Sequence, residues 1–127
     1  MKVVVVEDNP VDTRLLCALM ESGGHNVFAC DSAVEALEEI ILRRPDVVLV
    51  DLNLPGIGGL ELVRAMRAHE DASTVPVLAM TAYPHCYTRR DAIEAGCSEW
   101  LVKPLDTRTL LPNLLELCAP YNTPSPK

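Results

Sequence analysis

Between Asp46 and Gly59 the chain reads DVVLVDLNLPGIGG, and this stretch restricts the possible folds more than any other. Val47 to Val50 is an unbroken apolar run, β-branched in content and without helical spacing. Such a run suits a strand covered on both faces, in the middle of a parallel sheet. It stops at a carboxylate, Asp51, and passes into a Pro-Gly turn with further glycines. Ligands of open α/β sheets gather just beyond the carboxyl ends of the strands. Asp51 is therefore either a place for chemistry or the first residue of an ordinary loop, and the other strand ends must decide.

The remaining elements follow in a regular alternation. Lys2 to Val6 is a second buried strand ending in acids, Glu7 and Asp8. Asn9 is suited to cap the helix that Pro10 opens. Leu15, Leu16, Leu19 and Met20 supply its apolar face, and Gly23-Gly24 stop it. Asn26 to Cys30 predicts a short strand. Ser32-Ala-Val-Glu35 matches a capping box, with Leu37, Ile40 and Ile41 at helical spacing, Arg43 and Arg44 in the last turn, and Pro45 as terminator. Leu60 to His69 predicts a third helix with Leu62, Val63 and Met66 inward. Pro76 to Met80 predicts a strand ending at Thr81-Ala82. A weakly patterned helix runs from about Cys86 to Ala95, closed by Gly96. Trp100 to Val102 predicts the fifth strand, ending at Lys103-Pro104, and Asp106 caps a last helix through Leu117. Pro112 lies inside that helix, so either it kinks or its regular part begins near Leu111. Residues 119–127, with three prolines and no apolar period, read as a flexible tail. One domain over residues 1–118 is expected, an α/β unit with a doubly wound parallel sheet and helices on both faces.

Composition narrows the function. A chain of 127 residues suffices for one core, and its formal net charge of −7 argues against a binder of phosphate backbones. The start of the chain has no secretory pattern, and no apolar run is long enough to span a membrane. Five scattered cysteines, without a CxxC pair or a ligand-like spacing to the three histidines, read as reduced thiols. A cytoplasmic protein with no nucleic-acid or membrane partner is expected. His25, His69 and His85 each fall near a loop or helix end, and none has a neighbour that suggests catalysis.

The strand ends now bear on Asp51. The first offers Glu7 and Asp8, the third Asp51, the fourth Thr81 and the fifth Lys103. In a doubly wound sheet these ends share one rim, so their side chains can converge. Clustered acids repel unless a cation neutralises them, and oxygen-only ligands favour a hard ion such as Mg²⁺. A carboxylate nucleophile, a Mg²⁺ site, a lysine and a hydroxyl are the parts needed to accept a phosphoryl group. Each residue alone has a plain structural role available. Their joint position at successive strand ends does not.

With VVVVEDN, LVDLNLPGIGG, MTA and LVKP in this order and at this spacing, the chain resembles the receiver domains of two-component response regulators, of the chemotaxis-type single-domain kind. The resemblance implies a flavodoxin-like fold with five strands in the order 2-1-3-4-5. It implies that Asp51 takes a phosphoryl group from a histidine kinase or histidine phosphotransfer protein. It makes Asp8, Asp51 and the main-chain carbonyl of Asn53 the direct Mg²⁺ ligands, with Glu7 acting through water. Thr81 becomes the switch hydroxyl, Lys103 the phosphate-binding lysine, and Trp100 the switch aromatic, unless that indole is plain packing. The Lys103-Pro104 bond is expected to be cis. The fourth helix, fifth strand and last helix would form the output face for a downstream protein.

Some positions depart from the family's pattern. Trp100 stands where Tyr or Phe is usual, and Gly58 where Asp or Asn commonly caps the third helix. Tyr83, two residues past Thr81, is bulky enough to screen attacking water, and Pro84 stiffens the same loop. Strand alternation puts Trp100 and Val102 on one face and Leu101 and Lys103 on the other. The indole is thereby expected over the fourth helix. The chain is expected to carry no output module, either as a stand-alone regulator or as a receiver cut from a longer protein. It would not be an enzyme beyond its own phosphorylation and dephosphorylation. The competing reading is a Mg²⁺-dependent aspartyl-phosphate phosphohydrolase, which ordinarily needs a second acid where Asn53 stands.

Overall fold

The computed structural model describes residues 1–118; the tail expected over 119–127 lies outside the described residues. Five strands form one parallel sheet: β1 (Lys2–Val6), β2 (Asn26–Cys30), β3 (Val47–Asp51), β4 (Val77–Thr81) and β5 (Glu99–Val102). Their spatial order is β2-β1-β3-β4-β5, the doubly wound order expected. Helices α1 (Pro10–Ser22), α2 (Ala33–Arg43), α3 (Gly59–Ala68), α4 (Arg89–Ala95) and α5 (Thr107–Leu117) make the crossovers and close the chain.

Side-chain alternation along the strands divides the interior into two layers. Val3 and Val5 of β1, Val47 and Leu49 of β3, and Leu78 and Met80 of β4 face α1 and α5, packing on Leu16, Met20, Leu110 and Leu114. Val4, Val6, Val48, Val50, Val77 and Ala79 face the opposite way, onto α2, α3 and α4. Because β3 and β4 are buried along their whole lengths, their sequences are continuously apolar rather than alternating. At the edge, Trp100 packs with the α2–α4 layer and Leu101 with the α1–α5 layer, as the alternation predicts.

The helix starts follow the sequence with instructive exceptions. Asn9 Oδ1 accepts from the amides of Val11 and Asp12, with Pro10 in the first helical position. At Ser32 only the serine half of the capping box forms, through the amide of Glu35. Arg44 is not in the last turn of α2 but caps it in a left-handed conformation, at φ 50°. Gly58 precedes α3 without a side-chain cap, as its lack of one requires. Leu15 is half exposed instead of joining the apolar face of α1, which rests on Leu16 and Met20.

The fourth helix is shorter than expected. Residues from Cys86 do not belong to it: the amides of Cys86 and Tyr87 turn back onto the Tyr83 carbonyl. The helix begins at Arg89 behind a reciprocal capping box made by Thr88 and Asp91. Pro112 sits inside α5, which is helical from Thr107 behind its Asp106 cap, so the alternative start near Leu111 is not adopted.

Candidate functional site

Register brings the functional strand ends to one level. Val6 of β1 lies opposite Val50 of β3, so Glu7 and Asp51 leave their strands side by side. Thr81 lies opposite Val102, which sends Lys103 out just beyond it. The start of α3 is pressed against the same place: a Cβ on Gly59 would stand 2.8 Å from the Asp51 carbonyl oxygen and 2.8 Å from Leu52 Cα. Only glycine allows that approach at position 59, whereas Gly56 serves the turn through its φ of 71°.

Glu7, Asp8 and Asp51 offer carboxylate oxygens that all lie within 4.8 Å of one another. Glu7 and Asp51 are buried and Asp8 is exposed. Lys103 closes the group, its Nζ donating to Glu7 Oε1 at 2.5 Å, to Asp12 Oδ2 at 2.9 Å and to Asp51 Oδ2 at 3.1 Å. The second oxygen of Asp51 accepts from the Asn53 amide at 2.9 Å, and the second oxygen of Glu7 from the Asn9 amide at 3.2 Å. Burial and the neighbouring Asp51 carboxyl push Glu7 up to about 7, although Lys103 pulls it back. Burial alone would lower the Lys103 ammonium, but its bonds to Glu7 and Asp12 and the charge of Asp51 outweigh that and raise it. The cluster thus carries more negative charge than one ammonium balances. Its donor set is all oxygen, which suits Mg²⁺. An added hard cation fits here on the chemistry of these residues.

Thr81 lies next to this cluster, fully buried, at the end of β4. Its hydroxyl donates to the Asn53 side-chain oxygen at 3.1 Å and accepts from the Tyr83 amide at 3.0 Å. The Asn53 side chain therefore bridges the loop after β3 to the loop after β4, a contact that sequence reasoning, concerned with its carbonyl, did not reach. Tyr83 is 60% exposed. Trp100 stands apart from the carboxylates: its Nε1 donates to the Tyr87 carbonyl at 2.9 Å, immediately before the Thr88 cap of α4. The Lys103–Pro104 bond is cis.

The residue that sequence reasoning missed is Asp12. The signal for it is the cap: Asn9 starts the helix directly after the acids that end β1, so an acid in the first turn stays close to the rim.

Comparison with known proteins agrees with this arrangement. The response regulator receiver domain, as a family, matches residues 3–115. The chain belongs to that family. It is 29% identical over 119 residues to the polar-differentiation response regulator DivK of Brucella ovis, covering 94% of each chain. It is 31% identical over 112 residues to the sensor protein GacS of Pseudomonas syringae, where the match takes up 12% of the relative's length. Among solved structures it is similar to the receiver domain of the sensor histidine kinase PA1611 from Pseudomonas aeruginosa, with a TM-score of 0.86 at 30% identity, over 93% of this chain and 97% of that one. That structure holds a magnesium ion in its active-site cleft. The chain is a receiver domain of two-component signalling, with an acidic cluster at the position of the rim. Among its described residues, no helix is long and apolar enough to cross a membrane.

Proposed function

We propose that this receiver accepts a phosphoryl group on Asp51 from the phosphohistidine of a kinase or phosphotransfer protein. The observation that carries the reading is the convergence of Asp51, the Glu7–Asp8 pair and Lys103 at one rim. An Asp51 carboxylate oxygen attacks phosphorus, the phosphorus–imidazole nitrogen bond breaks, and its electron pair stays with the departing imidazole. Lys103 already touches Asp51 and offers a positive charge to the phosphoryl oxygens. Asp8, Asp51 and the Asn53 carbonyl are the residues to hold Mg²⁺, with Glu7 through water. When bound, Mg²⁺ neutralises charge on the acids and on the transferring group.

Thr81 then exchanges Asn53 for a phosphoryl oxygen, and the loop after β4 follows it toward the acceptor. The Trp100–Tyr87 bond places the indole at the base of α4, so the change reaches the α4–β5–α5 face, where a downstream protein would read it. The negative net charge supports a protein rather than nucleic acid as that partner. A cytoplasmic domain spanning residues 1–118, without further enzymatic activity, completes the proposal. A hydrolase is less favoured, because Asn53 spends its side chain on Thr81 instead of providing a second acid.

Asp51→Asn tests the assignment. Incubated with a small acyl phosphate and Mg²⁺, the parent should gain acid-labile phosphoryl groups and the variant none, with its fold retained. Equal labelling of both chains would reject Asp51 as acceptor.

A further inference from the structure

Three carboxylates hold Lys103, and only two of them belong to the acceptor cluster. The third, Asp12, comes from the first turn of α1 and meets Nζ at 2.9 Å. An ammonium has three N–H donors, so these three acceptors occupy it completely. A phosphoryl group on Asp51 takes over that residue's place on the nitrogen and brings further acceptor oxygens beside it, so the weaker of the other two carboxylates is the one to yield to a second phosphoryl oxygen.

Solvation decides which one. The Glu7 side chain is 0% exposed and that of Asp51 is 7%, whereas Asp12 is 37% exposed. Releasing Glu7 would break the shortest of the three contacts, 2.5 Å, and one made by a fully buried carboxylate. Releasing Asp12 returns it to water, where an ion pair of this exposure is worth little. The main chain need not move, because the Asp12 amide is fixed by Asn9 Oδ1 and the next amide, of Thr13, by the Asn9 carbonyl. With more than a third of the Asp12 side chain already in solvent, a side-chain rotation outward is enough.

We propose that Asp12 is a positioning residue, which holds Lys103 over the rim at rest and is displaced by the incoming phosphoryl group. This rests on the reading of Asp51 as acceptor. Asp12 and the phosphoryl group compete for one ammonium, so Asp12 weakens the hold on the modified state and limits the reactivity of Lys103 at rest.

Beryllofluoride with Mg²⁺ serves as the probe of the modified state, measured in the parent, in Asp12→Ala and in Asp12→Ala/Val11→Asp. The double variant restores the charge of the helix turn at an exposed position without a carboxylate on Lys103. Both variants should bind the probe about two- to fivefold more tightly than the parent. In metal-free protein, both should also let an amine-reactive reagent modify Lys103 faster by a similar factor. If only the single variant binds more tightly, Asp12 acts as general charge and the proposal is wrong. It is equally wrong if Lys103 reacts no faster in either variant. A parent that binds no beryllofluoride overturns the acceptor reading itself, and the displacement with it. Normal binding by the parent with no change in the variants overturns the Asp12 role alone.

Discussion

Two partly buried cations, Lys103 and Arg67, hold this molecule together in different ways. Lys103 is gripped by side chains alone, the carboxylates of Glu7, Asp12 and Asp51. Arg67, on α3, is gripped by main chain: its Nε donates to the Gly96 carbonyl at 2.9 Å, and its Nη1 to the carbonyls of Ala72, Ser73 and Val75, the last at 2.7 Å. Its stem lies so close over Gly96 that a Cβ there would stand 2.6 Å from Arg67 Cγ. A carboxylate can rotate away or change its charge, whereas a carbonyl moves only with its backbone. The planar guanidinium suits the fixed task, and the compact ammonium suits exchange between acceptors. One cation is a staple between α3, the loop before β4 and the end of α4. The other is held by groups that can turn away.

The largest effect separating them is on stability. Arg67→Met should lower the unfolding free energy by about 3 kcal/mol, because several inward carbonyls lose a charged donor. Phosphoryl labelling of Asp51 should persist in the folded fraction. Urea unfolding combined with labelling checks both; a stable Arg67→Met that no longer labels would reverse the roles of the two cations.

Mg²⁺ should act on the Lys103 side only. At about ten times its dissociation constant it should stabilise the parent by roughly 1.4 kcal/mol, and the Arg67→Met protein by a similar increment. Asp8→Ala should lose that response, as read by thermal melting across a Mg²⁺ series. A parental response in Asp8→Ala would mean that the cation sits elsewhere.

The smallest effect lies at the link between the two regions, Trp100. Trp100→Phe removes the bond to the Tyr87 carbonyl and should cost about 1 kcal/mol. In the parent, modification of Asp51 should shift the intensity or wavelength of the tryptophan emission, and Thr81→Ala should weaken that shift while Mg²⁺ still binds. Unaltered emission on a protein proven to be modified would make Trp100 packing alone.

What was legible in the sequence follows the same division. Asp51, Glu7, Asp8, Thr81 and Lys103 could be found because each ends an apolar run, and parallel strands deliver their ends to one rim. Asp12 ends no strand, and only its place in the first turn of a helix that starts beside Asp8 hints at the rim. Arg67 carried no signal at all: its acceptors are carbonyls, which every residue has, placed by loops whose course a sequence does not spell out. The start of α4 is hard to place from sequence because its box is closed by Asp91 rather than by Glu or Gln, and Cys86 and Tyr87 just before it form a turn on the Tyr83 carbonyl. The side-chain bond of Asn53 to Thr81 depends on how closely two loops approach, which their sequences do not state.

The most direct measurement is chemical location of the phosphoryl group. The parent is phosphorylated by a small acyl phosphate in Mg²⁺, trapped by borohydride reduction, digested and sequenced by mass spectrometry. The account predicts reduction of a single side chain, Asp51, to the corresponding alcohol. Reduction at Glu7, Asp8 or Asp12 instead, or stable phosphate on a histidine with Asp51 intact, would contradict it.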